Sequence, residues 1–304
     1  MAGTGAALNK SSAPTQHLSV RNDDERKGLV LISAPFLYAL ILLAVPVLSV
    51  VAHSFWTQTY LTIDYSLTLE NYRIALSEPL YQTLLLRSLR ISLTVGIATV
   101  LLAFPMAYFI SFYGGKWKGL LLFLVTLPFW TSYLLRILSW KIILGRQGAL
   151  NTALMSAGII DEPISSLIYN SNAVILTLAH SWAAFAILPI FVTLEKIDRT
   201  LLEAATDLGD GPFLRFLRIV LPLSTTGITS ALLIVMIPVV GDYVTPKLVG
   251  GSEGIMIANA IQSQFGRASN WPLGAALSVV AMASVALMSG VVVVMIRALA
   301  RLAR

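Results

Sequence analysis

The 304 residues include no cysteine, 12% charged residues and 57% hydrophobic residues, and their mean hydropathy is +0.80. This composition excludes an ordinary soluble enzyme, because soluble domains have roughly 25% charged residues and no core that holds so large an apolar surplus. The absence of cysteine also excludes disulfide frameworks, thiolate metal sites and cysteine nucleophiles.

Six apolar stretches are each long enough to cross a bilayer as a helix, which takes about 20 residues. They cover residues 28–53, 91–113, 120–144, 171–192, 223–248 and 273–296. Residues 1–27 precede the first span as a polar tail that we expect to be disordered and cytoplasmic. This tail lacks the short apolar core and small-residue cleavage site of a signal peptide. The sequence therefore predicts an all-α polytopic membrane protein with a transmembrane domain over residues 28–301.

The positions of the basic residues predict the orientation. With the N-terminus inside, 13 of the 21 Lys and Arg residues lie on the inner side and 8 on the outer side. This excess predicts that both termini are cytoplasmic. The net charge of +6 is thereby explained by topology. Because no basic face alternates with exposed aromatic residues, we predict no nucleic-acid partner.

Residues 193–222, between spans four and five, form the largest predicted cytoplasmic loop. The loop carries four basic and five acidic residues and divides into two short amphipathic helices at Gly209. Asp198 suits the N-cap of the first helix, Gly209 suits its left-handed C-cap, and Pro212 suits the first turn of the second helix. By spacing alone, these helices also fit a pair that rests on the membrane interface.

The loop resembles the EAA signature of binding-protein-dependent ABC import permeases, which reads EAA, three residues, G, nine residues, I, one residue, LP. The matching residues are Glu203, Ala204, Ala205, Gly209, Ile219, Leu221 and Pro222. In that family the first loop helix docks into a cleft of a cytoplasmic ATPase subunit. The resemblance therefore implies that these seven residues couple the chain to an ATPase.

The same resemblance implies the location and the partners. We expect a bacterial inner (plasma) membrane, cytoplasmic ATPase subunits that bind ATP and Mg²⁺, and an extracytoplasmic solute-binding protein. A second permease chain is also expected, and a homologous, different chain is favoured although the sequence leaves an identical copy open. We expect no cofactor and no metal bound by the chain itself.

The sequence around the loop is similar to the spermidine/putrescine branch of these permeases. The similar residues are Pro128 to Trp130, Arg136, Trp140, Gly148, Asn151, Ile237-Pro238, Gly241 to Pro246, Leu248, Gly250-Gly251, Gln264-Phe265 and Trp271 to Ala276. This similarity implies a path for a small cation such as spermidine or putrescine. The branch has relatives for other small solutes, such as amino-acid derivatives or opines, so that alternative stays open.

Asp242 is the only acidic residue within the six predicted spans. A carboxylate at the bilayer centre costs about 2.5–3.5 kcal/mol on insertion scales, so it should face the bundle interior or a water-filled path. A cationic solute is the functional partner that this carboxylate suits. The structural alternative is an ion pair with Arg136 or Lys141.

Three aromatic residues offer ring faces to an ammonium group along the predicted solute path. They are Tyr243, Trp140 and Trp182. Aromatic residues near span ends are also typical of the interfacial belt, which is the alternative for all three. His180, in span four, is expected to make an interhelical hydrogen bond.

The sequence contains no catalytic constellation. Its three His residues lack metal-ligand spacing, and its single Gly-Lys pair is followed by Trp117, so no phosphate-binding loop is present. We therefore predict a transport subunit and not an enzyme. The alternative class is an ion-driven secondary transporter, which usually needs more than one intramembrane acid and has no reason to carry a docking loop.

Overall fold

The computed structural model describes residues 16–59 and 62–302, with side chains described over residues 31–59 and 62–300. Residues 1–15 of the predicted tail lie outside the described residues. The chain divides into two compact units at residues 50 and 51, and each unit is considered by itself.

Helix α1, Gln16–His53, contains the first predicted span and begins before residue 28. Residues 16–27 contain neither Pro nor Gly, which are the strongest helix breakers. The prediction of a disordered tail therefore does not hold for residues 16–27. The stretch Leu31–His53 is apolar and long enough to cross a membrane.

The unit from residue 51 onward starts with a small antiparallel hairpin, in which Thr57 is opposite Asp64. Its strands and helices are β1 (Thr57–Thr59), β2 (Thr62–Asp64), α2 (Glu70–Ser77), α3 (Pro79–Tyr113), α4 (Lys118–Thr126), α5 (Tyr133–Leu144), α6 (Ala149–Ser156), α7 (Ser171–Glu195), α8 (Arg199–Asp207), α9 (Pro212–Arg215), α10 (Leu221–Leu223), α11 (Thr225–Val240), α12 (Gly251–Gly254), α13 (Ile257–Phe265) and α14 (Trp271–Leu302). Short 3₁₀ turns cover Gly115–Trp117, Leu127–Trp130 and Ser165–Leu167, and π-helical turns cover Phe216–Val220 and Pro246–Gly250.

Among the described residues, four helices are long and apolar enough to cross a membrane by themselves. They are Leu31–His53, Pro79–Tyr113, Ser171–Glu195 and Trp271–Ala300. Two further pairs of helices reach the necessary length together but are bent, which raises the number to six if each pair is one span. The predicted all-α membrane fold is confirmed, with the β1–β2 hairpin as a small addition.

The third predicted span, residues 120–144, is not one continuous helix. Helix α4 ends at Thr126, and the segments Gly115–Trp130 and Tyr133–Ser156 are bent by 83°. The prediction of one continuous span over residues 120–144 is therefore wrong. Pro128 donates no backbone hydrogen bond, and extended backbone at Thr131 and Ser132 then separates the two helices.

The fifth predicted span, residues 223–248, is also shorter as a helix. Helix α11 ends at Val240, and the chain continues through Gly241 into a new helical turn. Pro238 lies in the last turn of α11, and Gly241 is its C-cap. Asp242 consequently lies just after the helix, and not inside it as predicted.

The main core of this unit lies where α3, α7 and α11 pack together. Small residues allow the close approach: a side chain at Gly227 of α11 would come within 2.8 Å of the Pro189 carbonyl of α7. The Ser92 hydroxyl of α3 donates to the Met236 carbonyl of α11 at 2.9 Å. This packing fixes the frame that carries the loop at one end and Asp242 at the other end of α11.

Candidate functional site

Helix α8 begins and ends at the predicted caps. The Asp198 carboxylate accepts a hydrogen bond from the Thr200 amide at 3.0 Å and so caps the helix N-terminus. This bond holds the pKa of the Asp198 carboxyl below its usual value, because it favours the charged form. At the other end, Gly209 has a φ of +89°, the left-handed conformation expected of a C-cap glycine. Both cap predictions are confirmed.

The turn at Gly209 is closed by two backbone hydrogen bonds. The Gly209 amide donates to the Thr206 carbonyl, and the Asp210 amide donates to the Ala205 carbonyl, both at 2.9 Å. This arrangement is the Schellman motif, which satisfies carbonyls that a helix end leaves without partners. The chain then enters α9 with Pro212 in its first turn, as predicted.

Two arginines stabilise the segment around the glycine turn. Arg215 donates to the Thr206 hydroxyl of α8 at 2.7 Å and so spans the turn. Arg218 forms an ion pair at 2.8 Å with Asp210, which lies after Gly209. The loop is therefore a folded unit in which the direction of α8 depends on the backbone at Gly209.

The EAA-motif residues divide into exposed and buried positions. Glu203, Ala204 and Gly209 are exposed, Ala205 is buried, and Ile219, Leu221 and Pro222 are half-buried. Leu201 and Leu208 are exposed beside the first group, and Leu208 is 87% exposed. We call Leu201, Glu203, Ala204 and Leu208 the exposed residues of α8. Leu201, Ala204 and Leu208 share one side of the helix, and Glu203 lies on another side.

Asp242 has local partners that the sequence did not predict. One carboxylate oxygen accepts from the amides of Val244 at 2.9 Å and Thr245 at 3.3 Å, so Asp242 caps the helical turn after α11. The predicted alternative, an ion pair with Arg136 or Lys141, is absent: no ion pair among the described residues includes Asp242.

The second oxygen of Asp242 is bound by Tyr133, the first residue of α5. The Tyr133 hydroxyl donates to this oxygen at 2.6 Å and lies 2.9 Å from the Thr245 hydroxyl. A neutral phenol donates a hydrogen bond without supplying a positive charge. The carboxylate is thus hydrogen-bonded but not neutralised by these contacts.

One face of α5 continues from Tyr133 to Arg136 and Trp140, because residues three and four apart are neighbours on a helix. Arg136 donates to the carbonyls of Ser181 at 3.1 Å and Thr131 at 3.2 Å. Trp140 donates through Nε1 to Nδ1 of His180 at 3.1 Å, which confirms the interhelical hydrogen bond predicted for His180. From Tyr133 to Trp140 this face extends about 10 Å along the axis.

Phe129 joins the same cluster from the turn between α4 and α5. Its ring lies 4.8 Å from the Arg136 guanidinium and 6.0 Å from the His180 ring. The cluster therefore contains aromatic rings together with one carboxylate and one guanidinium. We call Phe129, Tyr133, Arg136, Trp140, His180 and Asp242 the polar cluster.

The structure does not bring the other two predicted path residues into this cluster by a described contact. The Trp182 ring lies 5.3 Å from the Phe185 ring, and its indole nitrogen is buried without a hydrogen-bond partner among the described residues. Trp182 is two residues from His180, so it points to nearly the opposite side of α7. Tyr243 is 43% exposed, and its carbonyl accepts from Asn259 at 2.8 Å.

Sequence reasoning missed Tyr133 and Thr245 as partners of Asp242. Tyr133 opens α5 after the break between Pro128 and Ser132, and it meets the turn after α11. No apolar run indicates this break, so the sequence pattern does not locate Tyr133.

The family described as binding-protein-dependent transport system inner membrane component matches residues 91–304. The chain is 39% identical over 245 residues to the spermidine/putrescine transport system permease protein PotB of Haemophilus influenzae, covering 80% of this chain and 85% of that protein. It is 33% identical over 240 residues to the inner membrane ABC transporter permease protein YdcU of Escherichia coli, covering 75% of each.

The fold is similar to that of a chain in the crystal structure of a bacterial ABC transporter involved in the import of the acidic polysaccharide alginate. The TM-score is 0.65 at 16% identity, covering 93% of this chain and 98% of that one, so the likeness concerns the fold alone. The family match and the PotB identity together settle the class of protein. The chain belongs to the binding-protein-dependent transport system inner membrane components, and it is a membrane-embedded permease subunit and not an enzyme.

Proposed function

We propose that this permease forms half of an import path for a small polyamine cation such as spermidine or putrescine. The observation that carries the proposal is the Asp242 carboxylate, which has hydrogen-bond donors but no cationic partner among the described residues. The name of the PotB relatives supports this class of solute.

A protonated amine suits the place that Asp242 leaves open. A unit charge about 4 Å from a carboxylate gains about 4 kcal/mol at an effective dielectric constant of 20. The ring of Trp140 adds a face that attracts an ammonium group. A path must also release its solute, which favours a single carboxylate over a cage of several.

We infer the partners from the exposed residues of α8 and from the family. Cytoplasmic ATPase subunits bind these residues and hold the ATP and Mg²⁺, and a solute-binding protein delivers the polyamine from outside. A second permease chain, homologous but different, completes the path. Glu203 and the glycine turn transmit the motion, while Leu201 and Leu208 supply apolar contact area.

A second solute class is favoured by one observation. Arg136 lies one turn from Tyr133 on the same face of α5, so the polar cluster presents a positive and a negative charge. Such a pair suits a zwitterionic amino-acid derivative, whose carboxylate and ammonium groups need opposite partners. The Arg136 guanidinium is directed at backbone carbonyls, however, and this favours the polyamine.

Competition for uptake separates the two solute classes. In proteoliposomes that contain the whole transporter and its binding protein, we expect labelled spermidine uptake to be inhibited by unlabelled putrescine at the lowest concentrations. Neutral and anionic solutes of equal size should not compete, because they gain nothing from Asp242. Stronger inhibition by zwitterions than by diamines would instead support the second solute class and contradict the polyamine proposal.

We also propose that both termini lie in the cytoplasm of a bacterial inner membrane, because basic residues are concentrated on that side. Reporter fusions after Arg304 and within residues 145–170 should therefore report opposite sides of the membrane. A fusion within residues 193–222 serves as the control and should agree with the one after Arg304. If the reporters after Arg304 and within 145–170 give the same side, this topology is wrong.

A further inference from the structure

Glu195, the last residue of α7, connects the ends of three helices beside the loop. Its Oε1 accepts hydrogen bonds from the Ser111 hydroxyl and from the Lys118 ammonium group, both at 2.6 Å. Ser111 lies in the last turn of α3 and is fully buried, and Lys118 is the first residue of α4. One carboxylate therefore ties α7 to α3 and to α4.

Arg199, the first residue of α8, adds the coupling helix to this contact. Its guanidinium lies 3.9 Å from the Glu195 carboxylate, donates to the Ser111 carbonyl at 2.8 Å and lies 4.2 Å from the Phe112 ring. The last carbonyls of a helix have no intrahelical partner and carry partial negative charge, so a cation stabilises them. Arg199 thus fastens the start of α8 to the end of α3.

We propose that Glu195, Lys118, Arg199 and Ser111 form a fixed joint that carries motion of α8 into α3, α4 and α7. None of the residues belongs to the EAA motif. The inference rests on the proposed function only in that ATPase subunits move α8. Lys118 passes the motion to α4. The segment after the 83° bend passes it on to α5, whose first residue, Tyr133, donates a hydrogen bond to Asp242.

The charges of the joint explain why Glu195 is its central positioning residue. One carboxylate faces two cations, and removing it leaves Lys118 and Arg199 close together without an anion. The fold should survive this change, because the side chains of Glu195, Lys118 and Arg199 are 33%, 28% and 44% exposed and such pairs add little to stability. The expected effect is a loss of coupling without unfolding.

The first test compares solute imported per ATP hydrolysed in proteoliposomes of the whole transporter. Glu195→Gln and Lys118→Met should each lower this ratio by about fivefold or more, and Lys118→Arg should restore it. Lys116→Gln is the matched control, since Lys116 is exposed in the same segment and has no ion pair among the described residues. The thermal midpoint should stay unchanged in all four variants, whereas a merely structural role would move the midpoint and not the ratio.

The second test does not depend on the solute. Because this chain has no native cysteine, introduced cysteines are the only thiols in it that a spin label can modify. Spin labels at Tyr113→Cys and Thr200→Cys report the separation of α3 and α8 in the complete transporter, with and without ATP and vanadate. Ordinary helix shifts are about 1–2 Å, and in the parent the distance between the two labels should change by less than this amount. Glu195→Gln should broaden the distribution of this distance. A larger ATP-dependent change in the parent, or no broadening in Glu195→Gln, would overturn the joint. If the parent behaves as expected but imports no polyamine, the proposed solute fails and the joint stands.

Discussion

Gly209→Val is expected to abolish ATP-driven uptake while the chain still inserts into the membrane. Gly209 holds a φ of +89°, which an L-residue adopts at a cost of roughly 1–2 kcal/mol and a β-branched residue at a higher one. Space is not the obstacle, because a side chain at Gly209 would meet no atom within 4 Å. The backbone would instead leave the left-handed region, open the two hydrogen bonds of the turn and change the direction of α8 with its exposed residues. Uptake and ATP hydrolysis stimulated by the loaded binding protein measure the loss.

Two substitutions serve as controls for this interpretation. Gly209→Asn should keep most of the uptake, because Asn tolerates the left-handed region better than other side chains. Gly211→Ser should have little effect, since Gly211 has a φ of −68°, is the N-cap of α9 and also has open space around it. If Gly209→Val transports as well as the parent, the coupling role of the turn is refuted.

The loop was predictable because its structure depends on signals within a few residues. An N-cap acts on the amide two or three residues later, and a C-cap glycine acts on the turn just before it. Asp198, Gly209 and Pro212 therefore revealed both helices without any knowledge of the remaining chain. The function of the loop, in contrast, came from the resemblance of its spacing to a family.

The interruption of the third span was not predictable in the same way. Proline is tolerated inside many membrane helices, and Pro105 and Pro189 lie within continuous helices of this chain. Whether Pro128 kinks a helix or ends it depends on partners for the freed carbonyls. Arg136 supplies such a partner to Thr131 from the next helix, a contact that no apolar run indicates.

The polar cluster was only partly predictable, because it depends on tertiary structure. Asp242 was found as the lone acidic residue of the spans, but its partner Tyr133 is 109 positions away in the sequence. The sequence gives no reason to prefer Trp140 over Trp182, because both are aromatic residues of predicted spans. The rotation of α5 and α7 about their axes decides which of the two faces the polar cluster, and hydropathy carries no information on that rotation.

Asp242→Asn is expected to lower uptake of labelled spermidine by at least about tenfold, equivalent to 1.4 kcal/mol. Asn is nearly the same size and is a good capping residue, so its oxygen can still accept from Val244 and Thr245. The substitution removes the charge and also replaces the oxygen that accepts from Tyr133 by an amide nitrogen, which can only donate to the Tyr133 hydroxyl. The full attraction of about 4 kcal/mol at a dielectric constant of 20 is not expected, because water in the path screens it.

Tyr133→Phe is the matched comparison, since it removes the hydrogen bond to Asp242 but leaves the carboxylate charged. A neutral hydrogen-bond donor contributes about 1 kcal/mol, so this variant should lose uptake less than Asp242→Asn does. Competition assays should separate the two further. Asp242→Asn should lose the preference for diamines over neutral solutes, and Tyr133→Phe should keep it.

Both variants should retain ATP hydrolysis when the binding protein is added, because the loop is unchanged. An Asp242→Asn transporter that imports spermidine at the parent rate, or that still prefers diamines, would remove Asp242 from the solute path.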